Sequence, residues 1–394
     1  MAPLNESTPT IPDCPLIDVS GTPRERGRQY GEQAAKRIAL GVAHYTAQLD
    51  RLKLDGETVT QIVDEFADGL KADYGDLIEE MQGISEGSGR RFQDIMLLNA
   101  RTEITKIAAR RAAGLTDFIE PDGCTGVIVE SSATRDGAVI HAQDWDWKKE
   151  CAETAIVLRV RRDDGPDILT FVEAGGLARA GFNSAGISIT GNYLECERDY
   201  TRRGIPLAIV RRRALDQENY ALAIGHVYGT PKSASNNLML GHAHGVSIDL
   251  ECVPDETFVV EPVDGLLVHA NHFRSPVALT KLVDIGARNT PDSLFRDRRV
   301  RELLQPKIGN IEVSDVKNAL FDNFDTPWSV CRPPRPNLEN NMSATVAMIV
   351  MQPAAGIMEV AILPALNRSF KEYRLNDADP DAMKKARITT GETI

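Results

Sequence analysis

The sequence changes character at Gly123, and this change limits the possible folds more than any other feature. Before Gly123, apolar residues recur at the 3.6-residue spacing of helices. After it, short runs rich in β-branched residues alternate with turn signals such as the stretches 135–137 and 163–165. The pattern therefore predicts a helical segment over residues 1–123. Over residues 124–394 it predicts antiparallel sheets covered by helices, which is an α+β layered domain.

Three helices are predicted before Gly123. A capping box from Thr22 to Glu25, with proline at the first helical position, opens a helix that runs to about His44. A second helix has apolar residues at helical spacing from Ile62 to Met81 and ends in the glycine-rich stretch 83–89. A third, shorter helix is predicted around residues 92–105.

Strands dominate the remainder, with helices in two places. The first five strands are predicted in the stretches 125–132, 137–144, 154–161, 167–174 and 186–191. Four more are predicted around 237–240, 246–250, 257–260 and 266–269, and a closing hairpin joins 344–350 to 357–363. Helices are predicted around 206–216, 220–228, 291–304 and 313–322.

Composition excludes several classes of function. A chain of 394 residues with 42% hydrophobic content can bury a large core. Its formal net charge of −12 argues against a general binder of nucleic acids or anionic membranes. The most apolar stretch, 343–366, contains Gln352, Pro353, Gly356 and Glu359, so it predicts a hairpin rather than a membrane span.

The cellular location and the redox state are inferred from two further features. The first residues lack a basic start followed by an apolar core, so no signal peptide is predicted and a cytoplasmic location is expected. Six cysteines occur without CxxC spacing, which is typical of reduced thiols rather than disulfides or a zinc site.

Common catalytic motifs are missing from the sequence. There is no glycine-rich nucleotide motif, and Ser184 lacks the flanking glycines of a nucleophile elbow, so it is predicted to lie in a turn between strands. Two histidine pairs, at positions 242 and 244 and at 269 and 272, have no recognisable metal-binding context, so packing or hydrogen bonding is favoured for them. No cofactor and no metal ion is predicted.

Cys124 is the best candidate nucleophile, although a free cysteine is more often a small buried apolar residue. No histidine stands out as its base. Cleavage of the Gly123–Cys124 bond would release an α-amino group, with an ordinary pKa of about 7.7 to 8.0, on the cysteine itself. One residue would then carry both nucleophile and base. Glycine at position 123 also allows a strained scissile peptide.

Seven motifs in a fixed order carry a family resemblance over about residues 17–375. They lie at 21–33, 79–104, 122–126 (DGCTG), 143–147 (QDWDW), 173–194, 268–273 (VHANHF) and 327–332 (PWSVCR). With them the chain resembles the acyl-coenzyme A:isopenicillin-N acyltransferase family of self-cleaving N-terminal nucleophile hydrolases, and more distantly the choloylglycine hydrolases and penicillin V acylases. The resemblance implies a four-layer αββα sandwich with a helical N-terminal segment. The chain does not end in the peroxisomal targeting signal that some members of this family carry.

The resemblance also implies roles for individual residues. Cys124 matches the nucleophile and the cleavage point, which would divide the chain into associated pieces of 123 and 271 residues. Asp146 matches the aspartate that holds the freed amino group. Asp144 shares its strand face, so the register decides which carboxylate points toward the site. Asn271 matches an oxyanion donor, a kind of group worth roughly 3 kcal/mol of transition-state stabilisation.

Two further residues complete the implied site. Arg332 matches the arginine that organises the aspartate near the nucleophile. Asn192 lies where related acylases place another oxyanion or substrate-side donor, although Asn183 lies close enough in sequence to be the alternative.

Three functions remain open on this basis. The leading hypothesis is an N-terminal cysteine amidohydrolase that cleaves a linear N-acyl amide through a thioester on Cys124. The second is an acyltransferase with the same thioester but an amine as acceptor, and the third is a non-catalytic binding protein. The expected partners are a small-molecule amide and the cleaved N-terminal piece, with no nucleic acid and no membrane. The oligomeric state, including a higher homo-oligomer, stays open.

Overall fold

A computed structural model describes residues 11–111, 123–336 and 342–376. The part before Gly123 contains one short strand and a run of helices. Their bounds are β1 (Leu16–Val19), α1 (Pro23–Arg51), α2 (Gly56–Leu70), α3 (Gly75–Ser88), α4 (Phe92–Asn99) and α5 (Arg101–Arg111). The predicted helical segment is therefore confirmed, with β1 as an addition that the sequence did not reveal.

The predicted second helix is wrong in its continuity, whereas its end is confirmed. It is divided into α2 and α3, because the backbone leaves the helical conformation at Tyr74, with φ −132° and ψ 33°. As predicted, the helix ends within the stretch 83–89. The last residue of α3 is Ser88, and Gly89 follows with a φ of 66°, the left-handed conformation of a helix C-cap. The third helix is likewise divided, into α4 and α5.

Close backbone packing between α1 and α3 explains the glycines inside α3. A Cβ added at Gly87 would lie 2.0 Å from the carbonyl oxygen of Arg28, and one added at Gly27 would lie 2.1 Å from that of Glu80. No side chain fits at such separations, so the two helices touch through their backbones. The glycines therefore serve the helix contact rather than a turn.

The predicted strands and helices after Gly123 occur in the predicted order, and five short elements, at 180–183, 276–281, 286–289, 335–336 and 371–374, were not predicted. The first group is β2 (Gly123–Val129), β3 (Ile140–Lys148), β4 (Ala155–Val160), β5 (Ile168–Glu173), β6 (Ala180–Asn183) and β7 (Ile187–Tyr193). The second is α6 (Leu207–Leu215), α7 (Tyr220–Gly229), β8 (Asn236–His242), β9 (Val246–Val253), β10 (Glu256–Val260) and β11 (Leu266–His269). The third is α8 (Pro276–Lys281), α9 (Gly286–Asn289), α10 (Ser293–Leu304), α11 (Val313–Leu320), β12 (Arg335–Pro336), β13 (Met342–Gln352), β14 (Ile357–Ile362) and β15 (Lys371–Arg374).

These strands form two sheets. The first sheet has the order β1-β4-β5-β6-β7-β8-β9-β10, and the second has the order β11-β2-β3-β13-β14-β15 with β12 paired to β13. Pairing is antiparallel except between β1 and β4, which run parallel. The N-terminal segment thus adds an edge strand to the first sheet.

Three hydrophobic layers show that the sheets lie face to face between helices. Ile38 and Phe66 of the N-terminal helices share a core with Ile189 of the first sheet. Trp145 of the second sheet and Phe171 of the first sheet meet in a core between the sheets. On the outer side of the second sheet, α10 and α11 supply residues to a third core. The predicted αββα sandwich is confirmed.

None of the helices in the described part of the chain has the length and apolar character needed to cross a membrane.

A buried charge cluster ties the N-terminal helices to α6. Glu80 of α3 accepts hydrogen bonds from Arg26 Nε of α1 at 2.7 Å and from Arg212 Nη1 and Nη2 of α6 at 2.7 and 2.8 Å. The three side chains are at most 1% exposed. Buried charges of this kind are tolerated only as a complete set, because each carboxylate or guanidinium alone would be poorly solvated.

Glu80→Ala is expected to lower the free energy of unfolding by about 3 to 5 kcal/mol, because it removes the buried carboxylate shared by two buried guanidinium groups and leaves Arg212 with Asp216 and Arg26 with the more distant Asp164. The matched control is Glu79→Ala, since Glu79 is 55% exposed and pairs only with the exposed Arg24. That change is expected to cost less than about 1 kcal/mol. Urea denaturation of both variants measures the difference, and equal losses would contradict the role given to the cluster.

Candidate active site

Cys124 is the second residue of β2 and is completely buried between the two sheets. It pairs with Trp145 across to β3, so both side chains lie on the face that meets the first sheet. Gly123 and Thr125 face the opposite side of β2, where Thr125 Oγ1 accepts a hydrogen bond from Arg296 of α10. The strand therefore separates the environment of the Cys124 thiol from that of its neighbours.

Asp146 lies beside Gly123 on the helix-covered face. The two residues are paired across β2 and β3, and a Cβ added at Gly123 would lie 2.9 Å from Asp146 Oδ2 and 2.9 Å from Arg332 Nη1. Thr345 donates a hydrogen bond to Asp146 Oδ1 at 2.6 Å, and Arg332 Nε lies 3.2 Å from Oδ2. Only glycine fits at position 123 without displacing this ion pair.

Asp144, two residues earlier, has a different environment. It pairs with Thr125 on the same face, but both of its carboxylate oxygens are buried, and neither accepts a hydrogen bond from any described residue. Burial, and then the nearby charge of Asp146, raise the pKa of Asp144 well above its ordinary value. The register therefore places Asp146, rather than Asp144, next to the Gly123–Cys124 bond.

Asn271 contacts the nitrogen of Cys124. The Cys124 N–H donates to Asn271 Oδ1 at 2.9 Å, and Arg296 Nη2 donates to the same oxygen at 2.7 Å. Asn271 Nδ2 donates to the carbonyl oxygen of Tyr193 at 2.8 Å, which uses one of its two hydrogens. The structure thus brings Asn271 to Cys124, while its role toward an oxyanion stays a prediction.

Asn192 lies further along the same face of β2. Its Nδ2 is 3.4 Å from a Cβ added at Gly126, two residues beyond Cys124. Its amide bridges the sheets, because Nδ2 donates to the carbonyl oxygen of His269 at 3.0 Å and Oδ1 accepts from Gln143 at 2.8 Å. The alternative residue, Asn183, instead binds backbone groups of the turn before β7 and the end of α6.

Arg332 joins two acids. Besides its contact with Asp146, its guanidinium forms a short ion pair with Asp292, and its backbone N–H donates to Thr345 Oγ1 at 2.8 Å. Burial opposes the charged form of Asp292, but Arg296 and Arg332 together lower the pKa of Asp292 below its ordinary value. Thr345 is shared between Arg332 and Asp146, so these three residues form one unit.

Arg296 belongs to the site and was missed at the sequence level. It is completely buried and donates to the carbonyl oxygen of Cys124 at 2.6 Å and to Asp292 at 2.7 Å, in addition to its bonds with Thr125 and Asn271. The spacing of Asp292 and Arg296 is a helical i,i+4 pair, which is the only signal in the sequence. Three other arginines in α10 hide it, because nothing in the sequence shows which one points inward.

Arg179 was also missed. It lies in the connection between β5 and β6, and its Nη2 is 3.8 Å from Cys124 Sγ. Its guanidinium carbon stands 4.1 Å from the centroid of the Trp145 ring. Arg179 also lines a cavity of about 50 Å³ whose other walls include Asn99, Glu173, Tyr193 and Arg211.

The remaining candidates from the sequence have structural partners. Ser184 lies in the turn between β6 and β7, as predicted. His269 Nε2 is 2.8 Å from Glu251; burial disfavours the charged ring, but Asp249 and Glu251 raise the pKa of His269 to about 9. His272 is hydrogen-bonded to Ser293 Oγ at 2.8 Å. Within the described ranges, no group of three or more His, Cys, Asp or Glu side chains is arranged to hold a metal ion.

Comparison with known proteins gives a family match and several relatives. A family model described as acyl-coenzyme A:6-aminopenicillanic acid acyl-transferase matches residues 133–362, a range that begins after Cys124 and contains the other four predicted site residues. The 40 kDa form of acyl-coenzyme A:6-aminopenicillanic-acid-acyltransferase from Emericella nidulans is 29% identical over 324 residues, covering 80% of this chain and 84% of that protein.

Two solved structures are more distant in sequence. A variant of the conjugated bile acid hydrolase from Clostridium perfringens is 14% identical, with a TM-score of 0.47, covering 65% of this chain and 94% of that one. Penicillin V acylase from Agrobacterium tumefaciens is 14% identical, with a TM-score of 0.40, covering 65% of this chain and 87% of that one.

The raised pKa of Asp144 predicts a pH-dependent stability. Above pH 4 the folded protein keeps a proton on Asp144 that the unfolded chain releases, so this residue lowers the free energy of unfolding as the pH rises. The loss amounts to about 1.4 kcal/mol for each pH unit between the unfolded and the folded pKa.

Asp144→Asn removes this titration. The free energy of unfolding of the variant minus that of the wild type is therefore expected to increase from pH 4 to pH 7, as measured by urea denaturation at several pH values. The other groups cancel in the difference between the two proteins. A difference that does not change with pH would contradict a protonated Asp144.

Proposed function

Because the chain belongs to the acyl-coenzyme A:6-aminopenicillanic acid acyl-transferase family, whose model matches more than half of it, we propose that it is a self-cleaving N-terminal cysteine amidohydrolase acting on a linear N-acyl amide. Family membership makes the chain an enzyme of acyl transfer or amide hydrolysis and sets aside a non-catalytic binding protein. The observation that carries the proposal is the position of Cys124, whose thiol and nitrogen are both enclosed by buried polar groups.

Self-cleavage would begin with the thiol. Sγ attacks the carbonyl carbon of Gly123, the peptide C–N bond breaks, and the proton of the thiol passes to the departing nitrogen. Water then hydrolyses the thioester and leaves a carboxylate on Gly123 and a free amine and thiol on Cys124. The tight contact of Gly123 with Asp146 and Arg332 supports this assignment, because it holds the scissile bond in one fixed conformation.

The amine freed by cleavage would lie among buried polar groups. The nitrogen of Cys124 already contacts Asn271 Oδ1 at 2.9 Å, and the buried carboxylate of Asp146, held by Arg332 and Thr345, lies beside Gly123. An amine in this position can take the proton of the thiol, and the thiolate then attacks the substrate carbonyl. The amine next protonates the leaving nitrogen, and water releases the acid from Cys124.

The two pieces are proposed to remain associated after cleavage. β1 of the first piece pairs with β4 of the second, and Glu80 binds Arg212 across the same boundary. A cytoplasmic location also remains part of the proposal, since none of the six cysteines forms a disulfide, as expected in a reducing compartment.

Cleavage can be tested by denaturing electrophoresis and intact mass. The wild type is expected to give two fragments that separate after Gly123 instead of one 43.2 kDa chain. Cys124→Ala removes the attacking sulfur and is expected to stay uncut and inactive. Gly123→Ala is expected to slow cleavage by at least about 100-fold, because its Cβ displaces the ion pair that frames the scissile bond.

Two controls accompany this test. Gly225→Ala adds a methyl group where no atom lies within 4 Å, and Cys252→Ala removes a buried thiol from a strand remote from Gly123. Both should be cut like the wild type. A wild-type protein that stays intact while active, or a Cys124→Ala variant that is still active, would refute the proposal.

Acyl transfer is the second candidate, and the names of the matched family and of the Emericella relative favour it. The thioester is common to both reactions, so the fate of the acyl group distinguishes them. Purified mature protein is incubated with an amide or thioester donor and a panel of amines, and the ratio of new amide to free acid is measured. Hydrolysis predicts mainly free acid at every amine concentration, whereas a ratio that rises with amine and saturates would assign transfer.

A further inference from the structure

We infer that Arg179 is a catalytic residue that stabilises the negative charge on Cys124 Sγ. This inference rests on the proposed role of Cys124 as the nucleophile. It adds a residue on the thiol side of β2, whereas every group implied at the sequence level lies on the nitrogen side or along the strand.

The distance is the first support. Arg179 Nη2 lies 3.8 Å from Sγ, within the range of a hydrogen bond to sulfur. Both side chains are buried, with Cys124 at 0% and Arg179 at 6% exposure. A cation at this separation in a buried environment favours the thiolate over the thiol, and the thiolate is the reactive form.

Trp145 fixes the position of the cation. It is paired with Cys124 across β2 and β3, so its ring lies on the same face as the thiol. The guanidinium of Arg179 stands 4.1 Å from the ring centroid, and the ring itself packs edge-on against Phe171 at 5.8 Å. The cation–π contact with this buried ring therefore holds the guanidinium close to Sγ.

Other ionisable groups line the cavity beside Arg179 or lie across β2 from the Cys124 thiol. Glu173 binds Arg101 at 2.7 Å and the hydroxyl of Tyr45 at 2.8 Å. Burial raises the pKa of Glu103, which disfavours its negative charge. Among the described residues, these groups include Arg101, Glu103, Glu173, Tyr193, Tyr200 and Arg211 in the cavity, and Asp144, Asp146, Arg296 and Arg332 on the opposite face of β2.

The experiment measures alkylation of Cys124 by neutral iodoacetamide as a function of pH, with the modified peptide quantified by mass spectrometry. The wild type is expected to show a midpoint below about 8.5, the ordinary value for a free cysteine. Arg179→Gln is expected to move the midpoint up by at least about one pH unit, so that the rate at pH 6.5 falls about 10-fold. Arg179→Lys keeps a positive charge and is expected to retain most of the rate.

Arg211→Gln is the matched control, because Arg211 lines the same cavity and its guanidinium donates to Asn236 Oδ1 at 3.1 Å. It should leave the midpoint unchanged. An equal midpoint in Arg179→Gln and the wild type, or a wild-type midpoint of 8.5 or above, would overturn the inference. The same alkylation is repeated with the anionic reagent iodoacetate. If Arg179→Gln slows alkylation by iodoacetate but not by iodoacetamide, the inference is also overturned, because Arg179 would then attract anions rather than stabilise the thiolate.

The same series in the Gly123→Ala background separates this inference from the proposed function. There cleavage is expected to be at least about 100-fold slower, so freshly purified, still uncut protein gives a midpoint that reports Arg179 without the freed amine. A midpoint shift in both backgrounds supports Arg179 even where self-cleavage fails. Cleavage and turnover without any midpoint shift would overturn the role of Arg179 and leave the proposed function standing.

Discussion

The register between β2 and β3 is the constraint on which the site depends. It pairs Gly123 with Asp146 and Cys124 with Trp145, so the carboxylate lies beside the Gly123–Cys124 bond and the thiol lies between the sheets. A shift by one residue would exchange the two faces and separate every contact described for the site. A bulge in β13 between Thr345 and Ala347 keeps Thr345 opposite Asp146, where its hydroxyl binds the carboxylate.

The two faces give the nitrogen and the sulfur of one residue different electrostatic environments. On the helix-covered face, Arg296 and Arg332 bind Asp292, and through Asn271 and Asp146 they reach the backbone around Cys124. On the other face the sulfur contacts Arg179, whose guanidinium packs against the ring of Trp145. Buried charge clusters are favourable only when complete, which links the site to the correct docking of α10 and of the segment before β12.

Sequence patterns were most reliable where local physics decides the structure. The capping box at Thr22 opened α1 as predicted, and the turn at Ser184 and the hairpin of β13 and β14 lie where β-branched runs and turn residues placed them. Patterns failed where a distant element decides the structure. Gly83 and Gly87 of α3 allow the backbone of α1 to approach, a role that no local pattern reveals.

By itself the sequence determined the helical first third, the β-rich remainder, the four-layer architecture through its family resemblance, and the candidate nucleophile with its preceding glycine. Only the tertiary structure decided that Asp146 rather than Asp144 borders Gly123, that Asn192 bridges the sheets, and that Arg296 and Arg179 reach Cys124. The physical reason is that propensity and periodicity act over a few residues, whereas these contacts join residues up to 172 positions apart and depend on strand register and helix docking.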